Sequence, residues 1–209
     1  SLKTEIDHLQ NQIKHLQAQK AHAQHRQTVE ARRAVLTRNG VVLPAQNVEA
    51  LQKKLSDLFH QTRFNDIYHT NAGCEAIQRM FQSGGSVPHA NVIAEIERAH
   101  GDDTFTRGAR NEKLALKAAA RNLSAMDLRT IDQSRYTLGL ARYASGSPEA
   151  LTYRRAVHSN DMLTQLQRMA GGETLLRPMR FLSTAATKAG TEAFPVKTPS
   201  SGEVVNFEI

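Results

Sequence analysis

Near residue 146 the hydrophobic pattern changes period, and this limits the fold more than any other feature of the chain. Before it, apolar residues recur at the three- and four-residue spacing of helices. After it they gather in short runs bounded by Gly, Pro and Ser, at residues 151–157, 179–185 and 203–209. Such runs read as strands. Between the first two lies a helix-sized segment. Ser159 or Asn160 can cap it, Met162, Leu163, Leu166 and Met169 give it one apolar face, and Gly171-Gly172 stops it. Gly146-Ser147-Pro148 marks the passage from one half to the other. The expected class is α+β, with a helical region of about six helices followed by a strand-bearing part.

The first strand carries Tyr153-Arg154, and the second carries Phe181-Leu182-Ser183-Thr184. This order resembles the mono-ADP-ribosyltransferase family of the arginine-specific type. Its members place an aromatic-Arg-Gly on the first core strand and an aromatic-x-Ser-Thr-Ser on a later one. Residues 186–194 are similar to the short helix that follows in the family, and 204–209 to the next strand. The resemblance covers about the last third of the chain. Arg155 stands where the family has Gly, and Ala185 where it has the final Ser. The family's Glu-x-Glu would fall beyond Ile209, so the resemblance implies an ADP-ribosyltransferase-like fold incomplete at its C-terminus. Glu203 and Glu208 read as strand residues and receive no catalytic role.

The resemblance implies NAD as cofactor and a protein substrate in a host cell. It implies a bacterial effector or toxin, secreted into that cell, and otherwise a cytoplasmic protein. Breaking the bond between nicotinamide and ribose passes through an oxocarbenium-like state, as in glycoside hydrolysis. Arg154 would grip the pyrophosphate with its planar fork, and Phe181 would wall the nicotinamide. Ser183 would supply the catalytic hydroxyl, with Thr184 helping to hold the strand end. Each residue also reads without chemistry. Arg154 and Arg155 must point to opposite faces of a strand, so an edge strand with solvated cations is one alternative. Phe181 as core, with Ser183-Thr184 as a strand-to-helix cap, is the other.

The helical half begins with residues 1–38. Leu2, Ile6, Leu9, Ile13 and Leu16 form a heptad seam that weakens at Lys20, Ala23 and Gln27. Such a helix either packs on its own domain or serves as an arm for self-association or a secretion chaperone. His8, His15 and His22 repeat every seven residues. At two turns, or roughly 10 Å, they stand too far apart to share one metal ion. His22 and His25 have ligand spacing but make only two ligands, so a solvated face is the expectation. Asn39-Gly40 ends the helix. A second helix begins near Val48 with Asn47 as cap, and 63–71 is mixed. A third covers 72–82, and Ser83-Gly84-Gly85-Ser86 breaks the chain. That break is a turn, because no Gly-Lys-Ser/Thr follows it. Pro88 opens a fourth helix in its first turn, which ends at Gly101-Asp102-Asp103. A fifth spans 111–123. A sixth starts at a capping box, Ser124 to Asp127, and runs toward Tyr143. The resemblance implies that residues 71–209 form the transferase-like domain, with helices at 71–145 and a strand-bearing core at 150–209, and leaves 1–66 as a helical arm.

Composition narrows the function classes. Hydrophobic residues make up 40 % of the 209, enough for a core, and with few aromatics and no Trp that core must be mostly Leu, Ile, Val, Ala and Met. The net charge is +7 and the pI about 9.8. Lys and Arg are spread along the chain, which favours solubility over a nucleic-acid patch. One cysteine, Cys74, excludes an internal disulfide and reads as a small buried hydrophobe. No run approaches the roughly 18 apolar residues of a membrane span. The start at Ser1 and the close on an apolar strand are expected of a segment of a longer protein. A helical interaction module, holding a protein or polyanion without catalysis, is the alternative to the transferase.

Overall fold

The computed structural model describes residues 1–101, 105, 108–169, 180–193 and 203–208. Among these are eight α-helices and one two-stranded antiparallel sheet, α+β at the coarse level. The helices are α1 (Leu2–Arg38), α2 (Val48–Thr62), α3 (Phe64–Tyr68), α4 (Asn71–Gln82), α5 (His89–His100), α6 (Arg110–Asn122), α7 (Ala125–Ala144) and α8 (Asn160–Met169). The strands are β1 (Tyr153–His158) and β2 (Glu203–Glu208), and a 3-10 turn covers Ala189–Ala193. The chain forms two compact units. One holds Ser1–Leu43, Leu140–Leu175 and Thr184–Ile209, and the other holds Pro44–Gly139 and Leu176–Ser183.

Local chemistry sets the helix ends. The Asn47 side chain accepts from the Ala50 N–H at 2.7 Å and starts α2. At α7, Ser124 Oγ accepts from the Asp127 N–H at 3.0 Å. Asp127 Oδ2 in turn accepts from the Ser124 N–H at 2.9 Å, the reciprocal pair of a capping box. Ser159 Oγ accepts from the Met162 N–H and starts α8. Pro88 sits one place before α5 rather than inside its first turn. The mixed stretch after Arg63 is the short helix α3, and the sixth expected helix is the unbroken α7. Residues 186–194 hold the 3-10 turn where a short helix was expected. Gly171-Gly172, Met179 and the Asp102-Asp103 turn lie outside the described residues.

In the Pro44–Gly139 unit, α2 packs on α3, α3 on α4 and α6, α4 on α5, and α5 on α6. Phe64, Ile67, Ile77, Ile93, Ile96, Phe105, Leu128 and Ile131 are fully enclosed. The corner between α3 and α4 is tight. Thr70 Oγ1 donates to the Ile67 carbonyl at 2.8 Å and accepts from the Gly73 N–H at 3.0 Å. A Cβ on Gly73 would run into the Ile67 carbonyl oxygen. The edge of this core carries ion pairs: Glu97 of α5 pairs with Lys117 and Arg121 of α6, each at 3.1 Å.

In the unit built on Ser1–Leu43, α1 is held at its C-terminal end. Arg32 Nη1 donates to the carbonyls of Tyr143 and Ser147 at 3.3 and 3.1 Å. Arg33 Nε donates to the Ala144 carbonyl at 3.3 Å. Two arginines thus bind the last carbonyls of α7, Tyr143 and Ala144, and that of Ser147 in the turn after it. Gly146 turns the chain there at φ +75° and lies against His25 and Val29.

One expectation is corrected. Residues 180–185 do not form the second core strand; only Ala185 makes a bridge, to Tyr153. The peptide groups of Phe181 are taken by a side chain of α4, described below, so no neighbouring strand pairs with them.

Two outcomes follow. Gly73→Ala should destabilise by about 2 kcal/mol or more, since the clash is with backbone. An open helical site would instead gain about 1 kcal/mol from the same change, so the sign of the urea-midpoint shift decides. His89, at the start of α5, is 3 % exposed and neither ring nitrogen has a hydrogen-bond partner. Burial holds its pKa down at about 4. The unfolded chain takes up the proton near pH 6.5, so stability is complete above that pH and falls between 6.5 and 4, by about 3 kcal/mol in all. Urea midpoints measured across that window should flatten in His89→Leu.

Candidate functional site

β1 and β2 pair antiparallel, with Arg154 opposite Phe207 and Arg155 opposite Asn206. On its other side β1 meets the end of the Ser-Thr segment. The Tyr153 N–H donates to the Ala185 carbonyl at 2.9 Å, and the Ala185 N–H donates to the Tyr153 carbonyl at 2.7 Å. The bridge is isolated and does not extend into a ladder; Arg154 and Thr184, both half-buried, are its chain neighbours on the two sides, within one unit. Lys188 adds a second cation: its ammonium lies 5.8 Å from the Tyr153 ring centre and 3.9 Å from a Glu208 carboxylate oxygen.

Phe181 and Ser183 belong to the other unit. Gln78 of α4 clamps Phe181 through both peptide groups. Its Nε2 donates to the Phe181 carbonyl at 2.6 Å, and its Oε1 accepts from the Phe181 N–H at 3.0 Å. The same Nε2 donates to the Tyr68 hydroxyl at 3.3 Å, and that hydroxyl shares a hydrogen bond with Ser183 Oγ at 3.1 Å. The Phe181 ring is 4 % exposed. It packs 5.2 Å from Phe64 and 4.8 Å from Phe81, centre to centre, and Phe64 stacks further on Phe59 and Tyr68.

These surroundings divide the four residues chemically. A guanidinium on β1 suits a pyrophosphate, which takes two parallel N–H donors from a planar fork. A ring sealed between two others has no open face, so Phe181 as packed does not fit the role of nicotinamide wall. Ser183 is one end of a Gln78–Tyr68–Ser183 hydrogen-bond relay. Glu203 and Glu208 are exposed strand residues.

Sequence reasoning missed Gln78 and Tyr68. The available signal was Gln78 itself, an amide between Ile77 and the Met80-Phe81 pair of an otherwise apolar face. The histidines of α1 lie on an exposed surface, where His8 and His15 each meet a glutamine four residues on, at 3.1 and 3.0 Å. Among the described residues no group of three or more His, Cys, Asp or Glu gathers as for a metal ion. Nor is any described helix long and apolar enough to cross a membrane. A shallow open depression of about 400 Å³ on α2, bordered by Lys53, Lys54 and Asp57, contains none of the four residues. No family model, no curated protein and no solved structure matches the chain.

Gln78→Ala should cost about 2 kcal/mol, because it strands the N–H and carbonyl of a buried phenylalanine. Gln78→Glu should also destabilise, since a carboxylate cannot donate to the Phe181 carbonyl. Urea denaturation of both variants checks this; a wild-type midpoint in either would show that the clamp contributes nothing.

Proposed function

We propose that the chain is an ADP-ribosyltransferase-like protein whose strand β1 binds NAD through Arg154. It acts as a mono-ADP-ribosyltransferase on a protein target, or as a degenerate member that keeps the binding strand without the reaction. The observation that carries this reading is the Tyr153–Ala185 bridge, which joins β1 to the end of the Ser-Thr segment. The family order of an aromatic-Arg strand followed by a Ser-Thr segment and an apolar strand supports it as well. On this reading Arg154 binds the pyrophosphate, and the hydroxyls of Ser183 and Thr184 serve the reaction end. The nicotinamide face is supplied by a group other than Phe181. The reading extends to a bacterial effector that modifies a host protein.

The test is calorimetric titration of NAD into the chain and into Arg154→Ala and Arg154→Lys. Saturable binding should weaken about tenfold or more in both variants, since a lysine cannot reproduce the bidentate fork. Absent binding, or binding indifferent to both substitutions, would sink the reading.

A second reading is favoured by a different observation. The apolar seam of α1 is exposed along its length, as in a helical interaction module that holds a protein or a polyanion. Polyanion binding would show as retention on heparin that weakens with salt.

A further inference from the structure

We infer that α1 pairs with α1 of a second copy of this chain, as a parallel two-stranded coiled coil over its first three heptads. The inference rests on the interaction reading and is independent of the NAD reading.

Every side chain from residue 1 to residue 22 is exposed. That includes five large apolar ones: Leu2 at 73 %, Ile6 at 45 %, Leu9 at 56 %, Ile13 at 53 % and Leu16 at 62 %. They alternate by four and three, so they form one continuous stripe rather than scattered surface residues. A stripe of this kind on a helix usually covers the helix's own domain, but α1 packs on its unit with a different stripe. His25 and Val29 lie against Gly146, Arg32 reaches the end of α7, and Leu36 is buried. At about 100° per residue these four fall on the side of the helix opposite the seam. Intramolecular packing therefore uses one face of α1 and leaves the apolar one uncovered.

The residue types identify the occupant. In heptad terms Ile6 and Ile13 stand at a, and Leu2, Leu9 and Leu16 at d. β-branched residues at a with leucine at d favour two parallel strands over three or four. Between Ile6 and Lys20 the flanking e and g positions are Gln10, Gln17, Gln12 and Gln19, all uncharged, while Lys3 at e and Glu5 at g begin the seam with opposite signs. Bringing two identical helices together there sets few like charges against each other. Lys20 takes the next a position and ends the apolar run. In a two-stranded coil its stem can lie along the seam with the ammonium in water, whereas a third strand would enclose it. The apolar run spans about 21 Å, so the pairing is short and reversible.

The test is sedimentation equilibrium of the full chain over a range of concentrations. The mean mass should rise from 23.2 kDa toward twice that value. Ile13→Asp should hold the mass at one chain. Lys20→Ile should tighten the dimer by about tenfold or more, because it extends the apolar seam. Orientation is read by oxidising Ile13→Cys in a Cys74→Ser background. Facing a positions in a parallel pair give a covalent dimer, whereas an antiparallel pair sets a against d and gives none. A chain that stays monomeric to about 1 mM, a dimer indifferent to Ile13→Asp, a trimer, or a dimer without the covalent product each overturns the inference. A monomer that still binds heparin in a salt-sensitive way would overturn the homodimer and keep the interaction reading; a monomer that does not would overturn the homodimer and the polyanion form of that reading.

Discussion

The amide of Gln78 does what a neighbouring strand would otherwise do. A glutamine side chain carries one acceptor and a donor pair in nearly the arrangement of a peptide group. It can therefore satisfy the N–H and the carbonyl of Phe181 together, and both bonds are short. Buried peptide groups need partners, and once these are supplied the segment has no need of a sheet. The Phe181 ring then closes an aromatic cluster with Phe64 and Phe81, and the same amide steadies the Tyr68 hydroxyl that reaches Ser183. Core packing and the placing of one candidate site residue depend on one side chain.

In the other unit, charge does comparable work at a helix end. Arg32 and Arg33 donate to carbonyls at the end of α7 and fasten the C-terminal part of α1. Arg32 also lies over the Tyr143 ring, 4.9 Å from its centre, so its guanidinium serves as donor and as a stacking surface. This anchoring engages the face of α1 that carries His25 and Val29. The leucines and isoleucines of the seam gain nothing from it, and burying such side chains is worth about 2 kcal/mol each. The helix thus has two faces with separate tasks.

Much of the helical half was legible, because helix ends are set by residues within four positions of each other. Asn47, Ser124 with Asp127, Gly40 and Gly101 each stop or start a helix where their chemistry predicts. The five-residue α3 was not legible, since it is too short to show a period. Residues 180–185 differ from the expected strand for a physical reason. Alternating apolar and polar residues signal an extended backbone, and extended backbone becomes a strand only when another strand pairs with it. Of the site residues, Arg154 and the Ser183-Thr184 pair could be found by order along the chain. The burial of Phe181 could not, because the residues that seal it lie about a hundred positions upstream.

Sequence alone determined where helices begin and end, the strand character of β1 and β2, and the existence of an apolar seam on α1. All of these follow from interactions between near neighbours, whose energy hardly depends on the rest of the chain. Tertiary structure decided which peptide groups are paired by a strand and which by a side chain. It joined Ala185 to Tyr153, sealed Phe181 in an aromatic core, and turned the seam of α1 away from the face that anchors it. Those outcomes depend on contacts between distant positions, formed only once loop closure has been overcome by collective burial, and a hydrophobic pattern by itself does not say which partner will arrive.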